Sequence, residues 1–486
     1  MGQVTFNKSL PAGCGGDGRI PRIQSSRALP GKNAPSRTDE GAACPPSISG
    51  RPDGRKAFIN VRPNYTEVYA KAACHPIPQR FCVMFQHQSC LRHLLTPFHY
   101  TDPEHYQREV DEVFRSTWQF ACTRQEIAHD GDFITLELFG EPVLMKNFGG
   151  EIRAFLNVCP HRHCMLTSEP TGNSPGLFCQ YHGWEFKQDG CTGKIPEAKA
   201  FRPWDRDNSQ LHTLGLETCG DLIFICFEPQ RTPPLKQWLD PFYGELEHAF
   251  QAPLWRMAEV WDFESASNWK IPTENTLESY HVATVHPTWL GEKLPEETLS
   301  EHDYDGRYTT LRYDCDSPME EKQAKIGEYL GATVDHSYRH WHIHPNIAFC
   351  LTDTFNYLAT CQPTSPTTCQ IRTRMFALHG TRRNPYAKLL RYMAWRIGRR
   401  TMRGIFNEDR AIFDAQQRGI QSSRHRGVIG TREERIHVFQ RYLCDRMNLN
   451  IAPDPAVERM HEHTKESSSP QATSQHTDSQ HTERSH

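Results

Sequence analysis

Two short segments place cysteine and histidine at a spacing that can hold metal: Cys159-Pro-His161 and Cys179-Gln-Tyr-His182. Seventeen residues separate His161 from Cys179. Two thiolates and two imidazoles on a pair of loops offer a four-ligand centre. Two chemistries compete for it. A structural zinc would take a closed Cys2His2 shell. An iron–sulfur cluster of mixed ligation would hold one iron by two cysteines and the other by two histidines. A zinc finger groups its cysteines together and its histidines together, whereas here each loop supplies one of each. That mixing favours the cluster, because each loop then reaches both irons.

A second signal is Glu274-Asn-Thr-Leu-Glu278-Ser-Tyr-His281-Val-Ala-Thr-Val-His286-Pro287. Two histidines and a carboxylate with open positions form the facial triad of a non-haem Fe(II) site. His281 and His286 are five residues apart, which on a regular helix sets the side chains about 140° from each other. The helix must therefore end or distort between them, and Pro287 is consistent with an ending. Taken alone, such a pair is more often core or surface histidine. In His340-Trp-His-Ile-His344-Pro-Asn346, strand alternation would put His342 and His344 on one face, where they too could bind metal.

Composition narrows the surroundings. The chain has 486 residues, with Lys+Arg 55 against Asp+Glu 58, a formal charge of −3. Two or three domains are expected at this length. The near-neutral balance argues against a nucleic-acid partner. No apolar run is long enough to span a bilayer; Leu222-Ile-Phe-Ile-Cys-Phe227 reads as a buried strand. The opening residues lack the apolar core of a signal peptide, and Phe6 stands where a myristoylation signal needs Ser or Thr. Seventeen cysteines without a secretion signal point to a reducing, cytoplasmic setting with thiols free for metal.

The elements that must position these residues lie between two polar ends. Residues 1–95 read as an N-terminal extension, largely disordered, and residues 456–486 as a disordered Ser/Thr/Gln/His-rich tail. Residues 96–117 read as an N-terminal helix: Asp102-Pro103 is a cap and first-turn proline ahead of an apolar stripe through Trp118. A hairpin is expected about Phe139-Gly140, and short strands continue to about Glu228. Pro229 and Pro233-Pro234 mark a boundary, giving one unit over 118–230 and another over 231–455. In the second unit, Phe355–Leu378 reads as two strands joined at Pro363-Thr-Ser-Pro-Thr, followed by helices near 387–418 and 432–447. Phe349, Phe355 and Tyr357 read as core.

With these motifs assembled, the chain from about Phe98 to residue 445 resembles the Rieske non-haem iron oxygenases, the aromatic-ring hydroxylating α subunits and their relatives. The resemblance rests on Asn157-Val-Cys-Pro-His-Arg162, Cys179-Gln-Tyr-His-Gly-Trp-Glu-Phe186, Asn268-Trp-Lys270 and Glu278-x-Tyr-His281. It implies an α+β fold: an all-β Rieske [2Fe–2S] domain and a helix-grip-like catalytic domain with a curved antiparallel sheet. It implies cluster ligands Cys159, His161, Cys179 and His182. It implies a mononuclear iron held by His281, His286 and Asp409. Asp409 resembles the family's Glu-Asp pair two helical turns before Gln-x-Gly, with Glu408 and Asp414 as rivals. Asp409 and Phe413, at i and i+4, can face inward together. Glu278 fits the carboxylate that links an iron ligand to a cluster histidine of the neighbouring subunit, with His182 as its partner there. Asn275 and Tyr280 are placed near the iron, and the His340–Asn346 segment in the pocket wall. Two departures stand out. His163 occupies a position where the family usually has glycine. Cys164 is placed as in respiratory Rieske proteins, but Tyr181 fills the slot of its disulfide partner, so Cys164 is expected to be a buried free thiol.

Three functions follow. One is oxygenation of an aromatic ring. The second is oxygenation of a methylated or quaternary amine, for which Trp289, Tyr304 and Trp341 are available as an aromatic cage and for which Glu rather than Asp at position 278 is a clue. The third is a pure electron carrier, against which the triad argues. The family uses NAD(P)H through a separate reductase, sometimes with a ferredoxin, and this chain has no evident dinucleotide fingerprint or plant-type ferredoxin run. A ring-shaped homotrimer, with or without a β subunit, is implied by the same resemblance. Residues 1–83 are expected to be dispensable, with Met84 as an alternative start.

Overall fold

The computed structural model describes residues 91–205, 207–289, 300–314 and 318–450. The extension through residue 90 and the tail from 451, with the expectations attached to them, lie outside the described residues. Among the described residues no helix is long and apolar enough to cross a membrane.

The first helix, α1 (Pro103–Glu109), starts as its sequence dictates: Asp102 caps it by accepting from the His105 N–H, with Pro103 in the first turn. It continues as a wider π turn through Val110–Phe114. Its buried Glu109 reaches into the second unit, 2.5 Å from Lys270 Nζ and 2.8 Å from Trp269 Nε1. Burial alone would raise Glu109, but the Lys270 ammonium and His105 hold its carboxyl below the usual range.

Then come β1 (Gln119–Thr123), β2 (Asp132–Leu138), β3 (Glu141–Phe148), β4 (Glu151–Leu156), β5 (Thr171–Asn173), β6 (Leu177–Phe178), β7 (Glu185–Phe186), β8 (Gly215–Cys219) and β9 (Leu222–Cys226). They form a four-stranded sheet in the order β4-β3-β2-β5, a three-stranded sheet β1-β9-β8 and the small hairpin β6-β7. The turn from β2 to β3 falls at Phe139 (φ 57°) and Gly140 (φ 77°), the two left-handed residues a tight hairpin requires. All five residues of β9 are buried, as its unbroken apolar run implies.

The second unit is built on a seven-stranded antiparallel sheet. Its strands are β10 (Trp255–Ser265), β11 (Ser300–Tyr304), β12 (Tyr308–Asp314), β13 (Ser337–Ile343), β14 (Ile347–Leu351), β15 (Phe355–Ser365) and β16 (Thr368–Leu378), in the order β10-β16-β15-β14-β13-β12-β11. The β15–β16 turn lies at Pro366-Thr367, the last two residues of the expected turn segment, because β15 continues to pair past Pro363 with an irregularity there. The mixture of antiparallel sheets and helices is the α+β class the sequence implied.

Register divides the sheet into two unlike faces. One carries Trp341, Ile343, Phe349, Leu358 and Phe376, and forms an apolar core with Leu235 of α2 (Leu235–Trp238), Phe242, and Leu246 of α3 (Tyr243–Ala249). The other carries His302, Tyr338, His340, His342 and Tyr357, which the cross-strand pairs Leu311↔His340, His340↔Cys350 and Cys350↔Tyr357 align. Over that polar face lie α4 (Lys270–Thr276), α5 (Val282–Val285), the long α7 (Pro385–Ser422) and α8 (Glu434–Arg446); α6 (Pro318–Leu330) follows β12. Phe349 is core as expected, but Tyr357 stands on the polar side, where Asp409 bears on it electrostatically.

Candidate metal centres

The two Cys/His loops are built alike. Cys159 O accepts from the His163 N–H at 3.0 Å, and Cys179 O accepts from the Gly183 N–H at 3.0 Å. Each cysteine N–H in turn donates five residues onward, to Cys164 O and to Trp184 O, both at 2.8 Å. The fourth residue after each cysteine turns left-handed: His163 at φ 58° and Gly183 at φ 68°. So the missing glycine at 163 does not change the loop; histidine adopts the glycine conformation, at a cost of about 1 kcal/mol.

Both thiols are buried, Cys159 at 1% exposure and Cys179 at 3%, while both imidazoles keep partial solvent access. Burial and the facing thiol of Cys179 push Cys159 up to about 11. The His161 and His182 rings lie 4.7 Å apart, and Trp184 stacks on His161 within 3° of parallel. Thiols inward and imidazoles outward is a donor set that fits a mixed-ligand [2Fe–2S] cluster with one iron near the surface. Cys164 is free, yet half-buried rather than buried; Tyr181, 55% exposed, lays its ring against His182 at 3.7 Å.

The second centre gathers residues from two distant segments. Ligand atoms of His281, His286 and Asp409 lie within 4.8 Å of one another. α5 lasts only four residues, with His281 as its N-cap and His286 as its C-cap at φ −115°. That early stop turns both imidazoles to the same side despite their five-residue separation. Asp409, Phe413 and Gln417 form the buried stripe of α7. Gln417 Oε1 accepts from the Asn268 N–H at 2.7 Å, fixing the rotation of the helix that presents Asp409.

Each imidazole is held at Nδ1 by a carboxylate. His281 Nδ1 donates to Glu278, which also accepts from the His281 N–H at 3.1 Å. His286 Nδ1 donates to Glu408 Oε2 at 2.9 Å. Both Nε2 atoms then face Asp409 Oδ1, at 3.8 Å from His281 and 3.0 Å from His286. The His286 Nε2 contact is close but misaligned for a hydrogen bond, and this buried atom has no hydrogen-bond partner. With Nδ1 protonated, two nitrogen lone pairs and a carboxylate converge, an arrangement that a cation stabilises. Burial would lower His286, but Asp409 and Glu408 raise it above its ordinary value, which reports the same surplus of negative charge. The donor set fits Fe(II).

Other expected neighbours divide. Asn275 Nδ2 donates to Asp409 Oδ1 at 3.5 Å. Tyr280 is 63% exposed and makes no hydrogen bond to the three ligands. Asp414, the other rival, accepts from the Ala266 N–H at 3.2 Å instead. His342 and His344 meet Nδ1 to Nδ1 at 3.0 Å, both buried. Burial pushes His344 down to about 3, so this pair is neutral packing. The aromatic cage does not assemble. Trp341 stacks on Phe242 at 4.6 Å in the apolar core, Tyr304 is on the opposite face of the sheet, and Trp289 lies against Arg400 on α7. The sequence reading missed the Nδ1 partner role of Glu408, whose signal was its place beside Asp409, and it missed the buried cation Arg435, which carried no signal.

Two family models match the chain: a Rieske [2Fe-2S] domain over residues 117–212, and the ring hydroxylating alpha subunit (catalytic domain) over residues 253–449. Among curated proteins, the chain is 30% identical over 198 residues to the anthranilate 1,2-dioxygenase large subunit of Acinetobacter baylyi, covering 39% of this chain and 42% of that protein. It is 32% identical over 190 residues to the carnitine monooxygenase oxygenase subunit of Escherichia coli (strain K12), covering 39% of this chain and 50% of that protein. The chain thus spans about half the length of the curated relatives it matches. Among solved structures, the quaternary ammonium Rieske monooxygenase CntA in complex with L-carnitine superposes with a TM-score of 0.59 at 21% identity, covering 76% of this chain and 99% of that one. A naphthalene 1,2-dioxygenase mutant bound to phenanthrene superposes with a TM-score of 0.61 at 21% identity, covering 78% and 96%.

Proposed function

Because the chain belongs to the Rieske non-haem iron oxygenase α subunits, a family of a Rieske [2Fe–2S] cluster and a mononuclear iron, we propose that it oxygenates a small organic substrate with O2. The observation that carries this reading is the convergence of two carboxylate-held imidazoles on Asp409, in a chain that also holds paired Cys-x-His loops.

In this reading residues 118–230 form the cluster-binding unit, through Cys159, His161, Cys179 and His182, and residues 231–455 form the iron-binding unit, through His281, His286 and Asp409. When bound, the iron supplies the open positions at which O2 is reduced with electrons from the cluster. The chain's own residues do the rest. Glu278 and Glu408 fix the tautomer and plane of the two imidazoles. Asn275 donates to Asp409 Oδ1, the oxygen that also faces both imidazoles, and helps hold that carboxylate in place. Glu278 is also the bridge by which an electron enters, from His182 of the partner subunit, in a homotrimer in which the cluster of each subunit faces the iron of the next. Members of the family are multimeric oxygenase components that receive electrons from partner proteins; here that partner is a separate NAD(P)H reductase, directly or through a ferredoxin.

An aromatic-ring substrate is the main reading. A quaternary or methylated amine is the second, supported by Glu at position 278 and by similarity to the carnitine monooxygenase. A non-catalytic electron carrier would need no gathered triad.

Iron analysis of anaerobically prepared protein tests the reading: three Fe per chain are expected, and two would leave only the carrier. Mixing tests the relay. A His182→Ala chain and a His281→Ala chain, each inactive alone, should recover part of the substrate-dependent NAD(P)H oxidation when assembled together. Recovery of none would place both metals' traffic within one chain.

A further inference from the structure

The polar face of the seven-stranded sheet holds a buried cation that no carboxylate pairs directly. Arg435, in the first turn of α8, is 2% exposed. Its Nε and Nη1 have no hydrogen-bond partner, and among the described residues it forms no ion pair. None of the groups around it forms a direct pair with it, although Glu278 and Glu434 act on it at a distance. His302 and His340 are buried neutral imidazoles, and the Arg435 charge itself helps keep them so. Tyr338 is a phenol that burial keeps protonated. Glu278 lies within electrostatic reach but is committed to His281, and Glu434 turns toward His302, 3.9 Å from its Nδ1.

A buried guanidinium is costly unless it is paired and hydrogen-bonded. Its surroundings are correspondingly unfinished: the buried His340 Nδ1 and Tyr304 OH also have no hydrogen-bond partner. The location is informative. Tyr338 and Tyr357 share this face, and Asp409 acts on Tyr357 while Glu278 acts on Arg435. Through these couplings, Arg435 and the two tyrosines lie on the side of the sheet that faces the triad. Tyr338 and Tyr357 keep partial solvent access there, in contrast to the closed apolar core on the other face.

We infer that Arg435 anchors the carboxylate of the substrate, and that this chain acts on a small organic acid rather than on a hydrocarbon or a simple cation. The inference rests on the oxygenase reading above and names its substrate class. A guanidinium fork matches the two oxygens of a carboxylate, with His340 and Tyr304 available to hydrogen-bond the same end of the molecule. An anion bound there leaves the rest of the molecule facing the triad.

Ligand-induced melting of the iron-loaded holoprotein under nitrogen tests this without turnover. The probes are benzoate, anthranilate, glycine betaine and carnitine, each against its primary amide. At least one acid should raise the melting temperature where its amide does not. Arg435→Gln should weaken that acid about 100-fold, as loss of a buried charge pair does, and Arg435→Lys should weaken it less. The inference is overturned if acid and amide stabilise alike, if none of the four acids stabilises, or if Arg435→Gln binds the acid as wild type does. Should Arg435→Gln fail to fold, the acid–amide contrast in wild type and Arg435→Lys decide. Iron content and the cluster's absorption, measured on the same samples, report separately on the oxygenase reading. Intact metals with no acid selectivity sink only the anchor, whereas missing metals sink the oxygenase.

Discussion

Glu408 Oε2 lies 2.9 Å from His286 Nδ1, while the adjacent Asp409 places Oδ1 3.0 Å from Nε2 of the same ring. Two consecutive carboxylates on one helix thus grip opposite nitrogens of one histidine. The first sets the tautomer; the second shares with the imidazole the place a metal would take.

Removing the outer grip should loosen the metal without touching the cluster. Glu408→Ala is expected to lower Fe(II) affinity about 10–100-fold, the usual effect of losing an imidazole's carboxylate partner. Glu408→Gln should fall between, since an amide oxygen still accepts but brings no charge. Anaerobic metal titration measures this, and the cluster's visible spectrum should be unchanged. Wild-type affinity in Glu408→Ala would show that the contact does not orient the ring.

The Lys270–Glu109 pair ties α1 to the second unit where both side chains are fully buried. Lys270→Met leaves the Glu109 charge buried without its ammonium, at a cost of about 3–5 kcal/mol. Combining it with Glu109→Leu removes the stranded charge and should restore much of the loss. Urea unfolding of the two variants checks the order. A single mutant as stable as the double one would contradict it.

Acid should destabilise the second unit before carboxylates begin to titrate. Burial pushes His302, His340 and His344 down to about 3, while in the unfolded chain they titrate near ~6.5. Between those values the unfolded state binds more protons. Stability is therefore fully present above ~6.5 and declines as pH falls toward 3, by up to about 1.4 kcal/mol per pH unit for each histidine. Urea midpoints compared at about pH 7.5 and about 5.5 should show the fall, and His344→Asn should flatten it. An unchanged slope in that variant would mean His344 is not neutral in the fold.

At the first loop, His163 adopts φ 58° in place of a glycine. His163→Gly should keep the cluster and change stability by no more than about 1 kcal/mol, in the stabilising direction, because relief of left-handed strain outweighs the added freedom of the unfolded chain. Gly183→Ala, at φ 68° in the second loop, should destabilise instead. Thermal melting of the two loop variants distinguishes them. Equal effects would break the likeness of the two loops.

The sequence alone determined the residue types and local spacing of Cys159, His161, Cys179, His182, His281 and His286, because each set lies within a few bonded residues whose loop or helix-end geometry is covalently limited. It also determined the α1 cap, the Phe139-Gly140 hairpin and the two C-terminal helices. It located the β15–β16 turn but drew it too long, because proline at 363 signals a break that the paired strand tolerates. Only the tertiary structure decided what Glu408 does beside Asp409. Successive residues point about 100° apart around a helix, so the outcome depends on how Gln417 and Asn268 set the rotation of α7 against α5. Only the tertiary structure likewise put Tyr357 and Arg435 on one polar face and sent Trp341 to the opposite core. Strand register and the docking of α8 come from segments far apart in the chain, and local residue patterns do not encode which face of a sheet a distant helix will cover.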